Sequence, residues 1–340
     1  MSGDAPVNTR AMKDLIEELP GIDLPVSEVT KRLQEMWQAE GTGGSPSEFR
    51  ASQMNVVLHF GWDVSATEAH ARFESLIQFA QRYPSRIIVL CPSSESEDGA
   101  MRAKLFSQCY IGESHREMCC CEALILGYQP DDCGHLGNQV SIWLESDLPT
   151  YHWFNRVPTE RVRQYMDNLL VGVRRSIYDS SIEPEGDVIE RLEWPEDGRI
   201  VDLAKARLLP VRQAIGQYLS GFAIKEICHG LKTVRVEHCA HCSGEGRRLI
   251  DWVKSCLGDC EQCEDCSALH ATYEVAPCQD EACSLTLEFG YNDGRYFRWK
   301  KSSDQKTALI ESSLGKSEER LTVRAKALES QQEIAEALFF

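Results

Sequence analysis

The sequence is poor in basic residues for its size. Its 340 residues include 36 Lys and Arg against 53 Asp and Glu, which gives a formal net charge of −17. Nucleic-acid binders need a basic surface to neutralise phosphates, so this balance argues against that class. The chain also lacks any apolar run near the roughly 18–20 residues that cross a bilayer. No hydrophobic region follows the acidic start, as it would in a signal peptide. These absences predict a cytoplasmic protein with no membrane or nucleic-acid partner.

Motifs that identify common catalytic centres are also missing. The chain contains no Gly-x-x-x-x-Gly-Lys-Ser/Thr loop, no Gly-x-Ser-x-Gly elbow and no His-Glu-x-x-His pair. The first strand-to-helix turn, residues 61–65, lacks the glycine-rich fingerprint of a dinucleotide site. We therefore expect no catalytic residues and no nucleotide cofactor, and we predict that the protein is not an enzyme.

The hydrophobic pattern divides the chain into three parts. Residues 1–50 are predicted to be a helical extension and linker, because a glycine-rich stretch near residue 43 follows one amphipathic helix. Residues 51–183 combine buried strands, at 54–60 and 86–91, with a helix that begins at a Ser65–Glu68 capping box. This half is predicted to be a Rossmann-like α/β open sheet without the dinucleotide loop.

Residues 184–340 are predicted to form an α+β domain with an antiparallel sheet. Alternation from Leu285 to Tyr291 indicates a half-buried strand, and Asn292-Asp293-Gly294 is a hairpin turn signal. Helices are predicted over 200–209, 211–221 and 247–257. Strands in the preceding half are predicted at 104–110, 122–128 and 139–144, a helix at 159–171, and a further strand from Arg174.

The 15 cysteines are unevenly placed, with six between Cys91 and Cys133 and nine in a Cys-rich segment, residues 228–283. A cytoplasmic protein would keep them as free thiols. Two CxxC pairs, Cys239/Cys242 and Cys260/Cys263, are 17 residues apart, which suits a tetrahedral zinc ion. The alternate ligands are Cys256, Cys266, His238 and His241. Inert packed thiols and a redox dithiol are the other interpretations. Cys119-Cys120-Cys121 is expected to pack as small apolar side chains.

An aromatic stretch surrounds Pro149, which we expect to end any strand. The rings would then lie in a surface connection, where Trp and Tyr suit a protein interface; the alternative is that they fold inward as a small core. The candidate partner-binding residues are Trp143, Tyr151, His152, Trp153, Arg174 and Arg175. The arginine pair could instead be solvated or ion-paired.

Four ordered segments resemble a known family. They are residues 55–58, 82–90, 148–153 (Leu-Pro-Thr-Tyr-His-Trp) and 174–181 (Arg-Arg-Ser-Ile-Tyr-Asp-Ser-Ser). Together they resemble the OpcA family, the glucose-6-phosphate dehydrogenase assembly proteins. The resemblance covers about 54–181 well and implies a non-catalytic assembly or allosteric partner of that dehydrogenase, supporting the oxidative pentose phosphate pathway. It transfers no catalytic residues and no metal ligands. The alternative hypothesis is a zinc- or thiol-based redox-sensing regulatory protein that acts through the Cys-rich segment.

Overall fold

A computed structural model describes residues 14–39, 52–93, 101–111, 118–129, 133–183, 186–195, 199–258, 267–278, 285–301, 306–315 and 317–340. The chain divides into two compact units, and each unit contains two separate stretches of the chain. The first unit contains residues 1–177 and 188–200, and the second contains residues 178–187 and 201–340. The predicted boundary between residues 183 and 184 falls within the segment where the chain passes between them.

The first sheet has eight strands in the order β1-β4-β5-β3-β2-β6-β7-β8. Strands β5, β3, β2, β6 and β7 pair in parallel, whereas β1 and β4 pair antiparallel at one edge. The strands are β1 (Ile22–Leu24), β2 (Met54–Phe60), β3 (Ser85–Pro92), β4 (Arg102–Ile111), β5 (Met118–Tyr128), β6 (Thr150–Asn155), β7 (Val173–Tyr178) and β8 (Arg199–Asp202). The predicted α/β sheet is confirmed, and it is mixed.

Six helices accompany this sheet along the chain. They are α1 (Leu15–Glu18), α2 (Val29–Ala39), α3 (Ala66–Arg82), α4 (Cys133–Trp143), α5 (Thr159–Tyr165) and α6 (Gly186–Ile189). The predicted cap of α3 is confirmed, because the Ser65 hydroxyl accepts a hydrogen bond from the backbone N–H of Glu68. The strand predicted at 139–144 is wrong, since those residues lie within and just beyond α4. The apolar residues Leu136 and Val140 are four apart, so they share one buried helical face.

The second sheet has six strands in the order β10-β9-β11-β12-β13-β14. Only the β10–β9 pair in this sheet is parallel, so the predicted antiparallel sheet is confirmed in its main part. The strands are β9 (Leu231–His238), β10 (Thr272–Pro277), β11 (Leu285–Tyr291), β12 (Tyr296–Lys301), β13 (Thr307–Ser312) and β14 (Glu319–Arg324). The hairpin predicted at 292–294 joins β11 to β12, with Gly294 at φ 85°.

One face of the second sheet is covered by helices. The helices of this part are α7 (Leu203–Arg207), α8 (Leu209–Leu219), α9 (Ile224–Cys228), α10 (Ser243–Gly258) and α11 (Ser330–Phe339). Ile215 of α8 and Leu249 of α10 share a buried core with Leu287 and Trp299. The helix predicted from residue 200 is wrong at its start, because the side chain of Asp202 caps α7 and residues 199–202 form β8. Within the described ranges no helix has the length and apolar character to cross a membrane.

Candidate functional site

The reversal of strand order in the first sheet places a crevice position between β2 and β6. The chain moves outward from β2 through β3 to β5, then returns to β6 on the other side of β2. Ligands of open α/β sheets bind at the carboxyl ends of the strands at such a reversal. The residues that follow β2 and β6 therefore decide what this position can bind.

The chain's own atoms fill much of that position. Gly61 donates its backbone N–H to the carbonyl of Asn155 at 2.8 Å. A Cβ on Gly61 would lie 1.8 Å from the carbonyl oxygen of Arg156, so glycine is required by this close approach. Arg156 Nε in turn pairs with Glu68 Oε2 at 2.8 Å, in the first turn of α3. An acidic side chain and its arginine thus lie at the helix end that binds phosphate in dinucleotide sites.

A chain of buried polar rings crosses the other side of this region. His59 Nδ1 lies 3.2 Å from His152 Nε2, and His59 Nε2 lies 2.6 Å from the Tyr128 hydroxyl. That hydroxyl is 3.1 Å from the hydroxyl of Tyr165. All four residues are buried. Both nitrogens of His59 thus have a partner within the chain, which fixes the orientation of that imidazole.

Burial keeps these rings uncharged near neutral pH. It lowers the pKa of His59 from 6.5 to about 3. Burial also lowers the pKa of His152, and the charge of His59 lowers it further. The pKa of Tyr128 is raised, chiefly by burial and secondly by the neighbouring Tyr165. A general base or acid works best with a pKa near the working pH, so these values do not suit proton transfer.

A second polar cluster, the Asp179–Arg207 cluster, lies in the second unit and begins within the family-like segment 174–181. Arg207 donates from Nη1 to Asp179 Oδ2 at 2.9 Å and from Nη2 to Asp179 Oδ1 at 2.6 Å. It also donates from Nε to Glu245 Oε1 at 2.5 Å, and its Nη1 lies 3.6 Å from Glu333 Oε2. Although burial opposes the charge, the hydrogen bonds to Asp179 and the three carboxylates raise the pKa of Arg207. One arginine therefore neutralises part of a buried acidic group.

Asp202 fixes the adjacent turn through hydrogen bonds that its carboxylate accepts. Its Oδ1 accepts from the backbone N–H groups of Ser180 and Ala204, both at 3.0 Å. Its Oδ2 accepts from the Ser180 hydroxyl at 2.6 Å and from Arg248 Nε at 2.5 Å. Helix α10 approaches the turn closely, because a Cβ on Gly244 would lie 2.5 Å from the Ser181 hydroxyl. Apart from the family-like segment itself, no local pattern singles out these partners.

The predicted aromatic interface is not on the surface. Trp143 lies at the end of α4, and Tyr151, His152 and Trp153 lie on β6; all four are at most 5% exposed. Pro149 precedes a strand here, and β6 pairs with β2 on one side and β7 on the other. The prediction of a surface connection is therefore wrong, and the inward-folding alternative describes these rings. A Trp153→Ala variant would report on packing, not on a partner contact.

The two arginines of the same prediction lie on β7. Arg174 is exposed and Arg175 is half-buried opposite Tyr151 in the strand register.

A groove of about 690 Å³ opens at the far edge of the first sheet, along β1 and β4. Ile22, in this groove, is 78% exposed. The segment 22–24, predicted as part of a helical extension, instead forms the edge strand of the sheet.

The first predicted zinc pair lies where β9 ends and α10 begins. Burial, followed by a hydrogen bond to Cys239 and the charge of Glu245, raises the pKa of Cys242 to about 12. The other pair, Cys260 and Cys263, and the alternate Cys266 lie outside the described residues. Helix α10, which begins directly after Cys242, has 16 residues and is about 24 Å long at 1.5 Å per residue.

Alternate ligands occupy different positions around this helix. His238 Nδ1 lies 2.9 Å from the carbonyl of Cys239, His241 is exposed, and Cys256 is exposed near the far end of α10. Within the described ranges, no three His, Cys, Asp or Glu side chains are grouped to hold a metal ion. The zinc site stays a prediction.

Among the described cysteine side chains of the first sheet, Cys91 and Cys121 are buried, and Cys109 on β4 is disulfide-bonded. The expectation of free thiols is therefore wrong at Cys109. Burial of Cys121 agrees with its expected packing role. The side chains of Cys119 and Cys120 lie outside those that the structure describes.

Comparisons with known proteins identify the class of the first half of the chain. Residues 77–194 match the model described as "Glucose-6-phosphate dehydrogenase subunit N-terminal domain". The "Putative OxPP cycle protein OpcA" of Synechocystis sp. (strain ATCC 27184 / PCC 6803 / Kazusa) is 33% identical over 180 residues. That alignment covers 51% of this chain and only 37% of the relative's length. The resemblance to the OpcA family is thereby confirmed.

Solved structures with a related arrangement have little sequence in common with the chain. Glucose-6-phosphate 1-dehydrogenase from Mycobacterium avium aligns with a TM-score of 0.46 and 8% identity, over 84% of this chain and 86% of that one. The 3-ketoreductase KijD10 from Actinomadura kijaniata aligns with a TM-score of 0.42 and 8% identity, over 83% and 87%. These values carry no conclusion about function.

Proposed function

We propose that this chain is a non-catalytic, cytoplasmic assembly and allosteric partner of glucose-6-phosphate dehydrogenase that supports the oxidative pentose phosphate pathway. The observation that carries the proposal is the match of residues 77–194 to a dehydrogenase-subunit model, joined by the OpcA relative. Because the relative is much longer than the aligned segment, its role comes to this chain only as a proposal.

The first sheet supports a binding role over a catalytic one. We interpret it as a Rossmann-like sheet whose phosphate-binding position is used internally. Glu68, in the first turn of α3, pairs with Arg156, which follows β6, and Gly61 packs against the backbone of Arg156. The buried histidines have pKa values too low for acid–base work at neutral pH. These features favour a scaffold that presents its outer surface to another protein.

The direct test is affinity purification of the tagged full chain from its native cells, followed by mass spectrometry. We expect the dehydrogenase to be recovered, and we expect added purified chain to change its kcat or its KM for glucose 6-phosphate. Absence of the dehydrogenase together with unchanged kinetics would disprove the proposal.

Two surface variants locate the contact. Arg174→Glu reverses an exposed charge on β7, and Ile22→Asp places a charge in the groove beside β1. The matched control is Arg163→Glu on α5, where the side chain is 57% exposed. If either surface is the contact, its variant should weaken binding at least about tenfold while the control leaves affinity unchanged. Unchanged affinity for a variant removes that residue from the contact.

A further inference from the structure

Among the described residues, the helices that pack on the second sheet lie on one of its two faces. Helices α8 and α10 pack on the face that carries Val236, Leu287 and Trp299. Side chains alternate along each strand, so the neighbours of these residues point to the opposite, open face. Arg235 and Arg298 on that face are each 48% exposed, and Arg320 is 72% exposed.

A single row of charged residues crosses this open face, with one member on each of the six strands. Cross-strand register joins each member to the next. In spatial order from β10 to β14 the row, here called the charge row, is Glu274, Arg235, Glu288, Arg298, Glu311 and Arg320. Its signs therefore alternate strictly from negative at one edge of the sheet to positive at the other.

Part of this pattern serves the sheet itself. Arg298 Nε lies 2.5 Å from Glu288 Oε1, and Arg320 Nε lies 3.4 Å from Glu311 Oε1. Opposite charges on neighbouring strands stabilise a sheet, but exposed pairs of this kind contribute only about 0.2–1 kcal/mol each. These lateral pairs leave the exposed outer side of the guanidinium groups available to a partner.

An alternating row with an even number of members is complementary to its own reversed copy. When two such sheets meet face to face about a two-fold axis parallel to the strands, the first strand faces the sixth of the other copy. Glu274 then faces Arg320, Arg235 faces Glu311, and Glu288 faces Arg298. An axis perpendicular to the strands would instead place every charged residue opposite the same residue of the other copy, so that like charges would face each other. The row thus fits one orientation and rejects the other.

We propose that the open face of the second sheet binds a second copy of this chain, in a two-fold dimer whose axis runs parallel to the strands. The next row of residues on the same face, which runs through Glu237, Thr286, Lys300 and Leu309, agrees with this orientation. Its two charges, Glu237 and Lys300, face Leu309 and Thr286 of the other copy, because these residues occupy reversed positions in the same register. No like charges meet in either row.

The size of the face is adequate for a specific contact. Six strands spaced about 4.8 Å apart, each about six residues long at 3.3 Å per residue, give a flat footprint of roughly 600 Å². Side-chain relief increases the accessible area of such a footprint. A standard stable interface buries about 800 Å² on each partner.

The test begins with the mass of the purified full chain in solution, without any dehydrogenase. Sedimentation equilibrium should give twice the chain mass of 38.4 kDa at micromolar concentration. Arg298→Glu and Glu288→Arg should each weaken dimerisation at least about tenfold, because each places two like-charge pairs in the dimer. An equimolar mixture of the two variants should dimerise again, since each then faces the opposite sign.

Two further variant sets keep the result interpretable. Glu274→Arg and Arg320→Glu repeat the same exchange on the edge strands, where a charge reversal disturbs the fold least. Arg163→Glu changes the net charge equally, far along the chain from the second sheet, and should leave the dimer intact. A chain that stays monomeric at every concentration, or variants that do not re-associate when mixed, would overturn the proposal. Charge-row variants that stay dimeric but lose dehydrogenase binding would overturn it too, and would assign the face to that partner.

Discussion

Removal of the Arg207 guanidinium should destabilise the second unit more than removal of any exposed arginine. In an Arg207→Met variant the side chain keeps most of its apolar length but loses all its donors. Asp179, Glu245 and Glu333 then share a largely buried space without the cation that now contacts all three. The Asp179 side chain is only 3% exposed, so water cannot replace the lost hydrogen bonds.

The expected magnitude follows from the geometry of the cluster. Breaking a buried ion pair by removing one partner costs about 3–5 kcal/mol, because an uncompensated charge is left behind. The bidentate contact with Asp179, at 2.6 and 2.9 Å, places this pair among the stronger examples. The Arg207 guanidinium also fixes Ser181, because the Ser181 hydroxyl accepts a hydrogen bond from Arg207 Nη2 at 3.0 Å. We therefore expect a loss of about 3–5 kcal/mol in the free energy of unfolding.

Urea denaturation followed by tryptophan fluorescence measures this loss from the shift of the midpoint at constant m-value. The matched control is Arg163→Met, whose guanidinium pairs with Glu160 on the surface and should contribute no more than about 0.5 kcal/mol. An Arg207→Met variant that loses less than about 1 kcal/mol would refute the idea that this cluster stabilises the turn after β7. A double variant with Asp179→Asn should lose less than the sum of the two single changes, because the pair acts as one unit.

Three other changes test separate parts of the fold. Trp299→Ala, at a fully buried position, should cost about 3–5 kcal/mol in urea unfolding, whereas Trp299→Phe should recover most of it. Gly61→Ala should cost about 1–3 kcal/mol or more because of the clash with Arg156, while Gly216→Ala, in open helix α8, should be neutral or stabilising. The lowered pKa of His59 means that the unfolded state binds the extra proton, so stability is complete above pH 6.5 and falls as the pH drops toward 3. His59→Phe should reduce that slope by about 1.4 kcal/mol per pH unit, and an unchanged slope would contradict the assignment.

Local features of this fold could be predicted where neighbouring residues decide the outcome. The apolar run from Ile87 to Leu90 predicts a strand buried on both faces, and β3 is one, between β2 and β5. The Ser65 cap and the turn at Asn292–Gly294 were predictable for the same reason. Each depends on contacts within a few residues, and alternation alone places Leu287 and Phe289 in the core.

Positions decided by distant residues could not be predicted. Proline has no N–H for a ladder hydrogen bond, so Pro149 predicts the end of a strand. Its carbonyl instead accepts from the N–H of Asn55, and the strand begins one residue later. Likewise, Arg207, the ion-pair partner of Asp179, lies 28 residues away along the chain. No spacing rule connects residues at such separations.

The distribution of charge explains why the open sheet face is the place where two such acidic chains can meet. Each copy carries a formal charge of −17, so two copies repel each other at long range. The charge row contains three arginines and three glutamates, and its flank adds one lysine and one glutamate, so this face is locally neutral. Salt screens the long-range repulsion over about 10 Å at 0.1 M, but it also weakens the facing pairs. Because these effects oppose each other, the salt dependence of association is not diagnostic. Exchange of Glu288 and Arg298 between two copies leaves the summed charge of the two chains unchanged, and re-association of the mixed variants therefore separates the complementarity of the row from the charge of the whole chain.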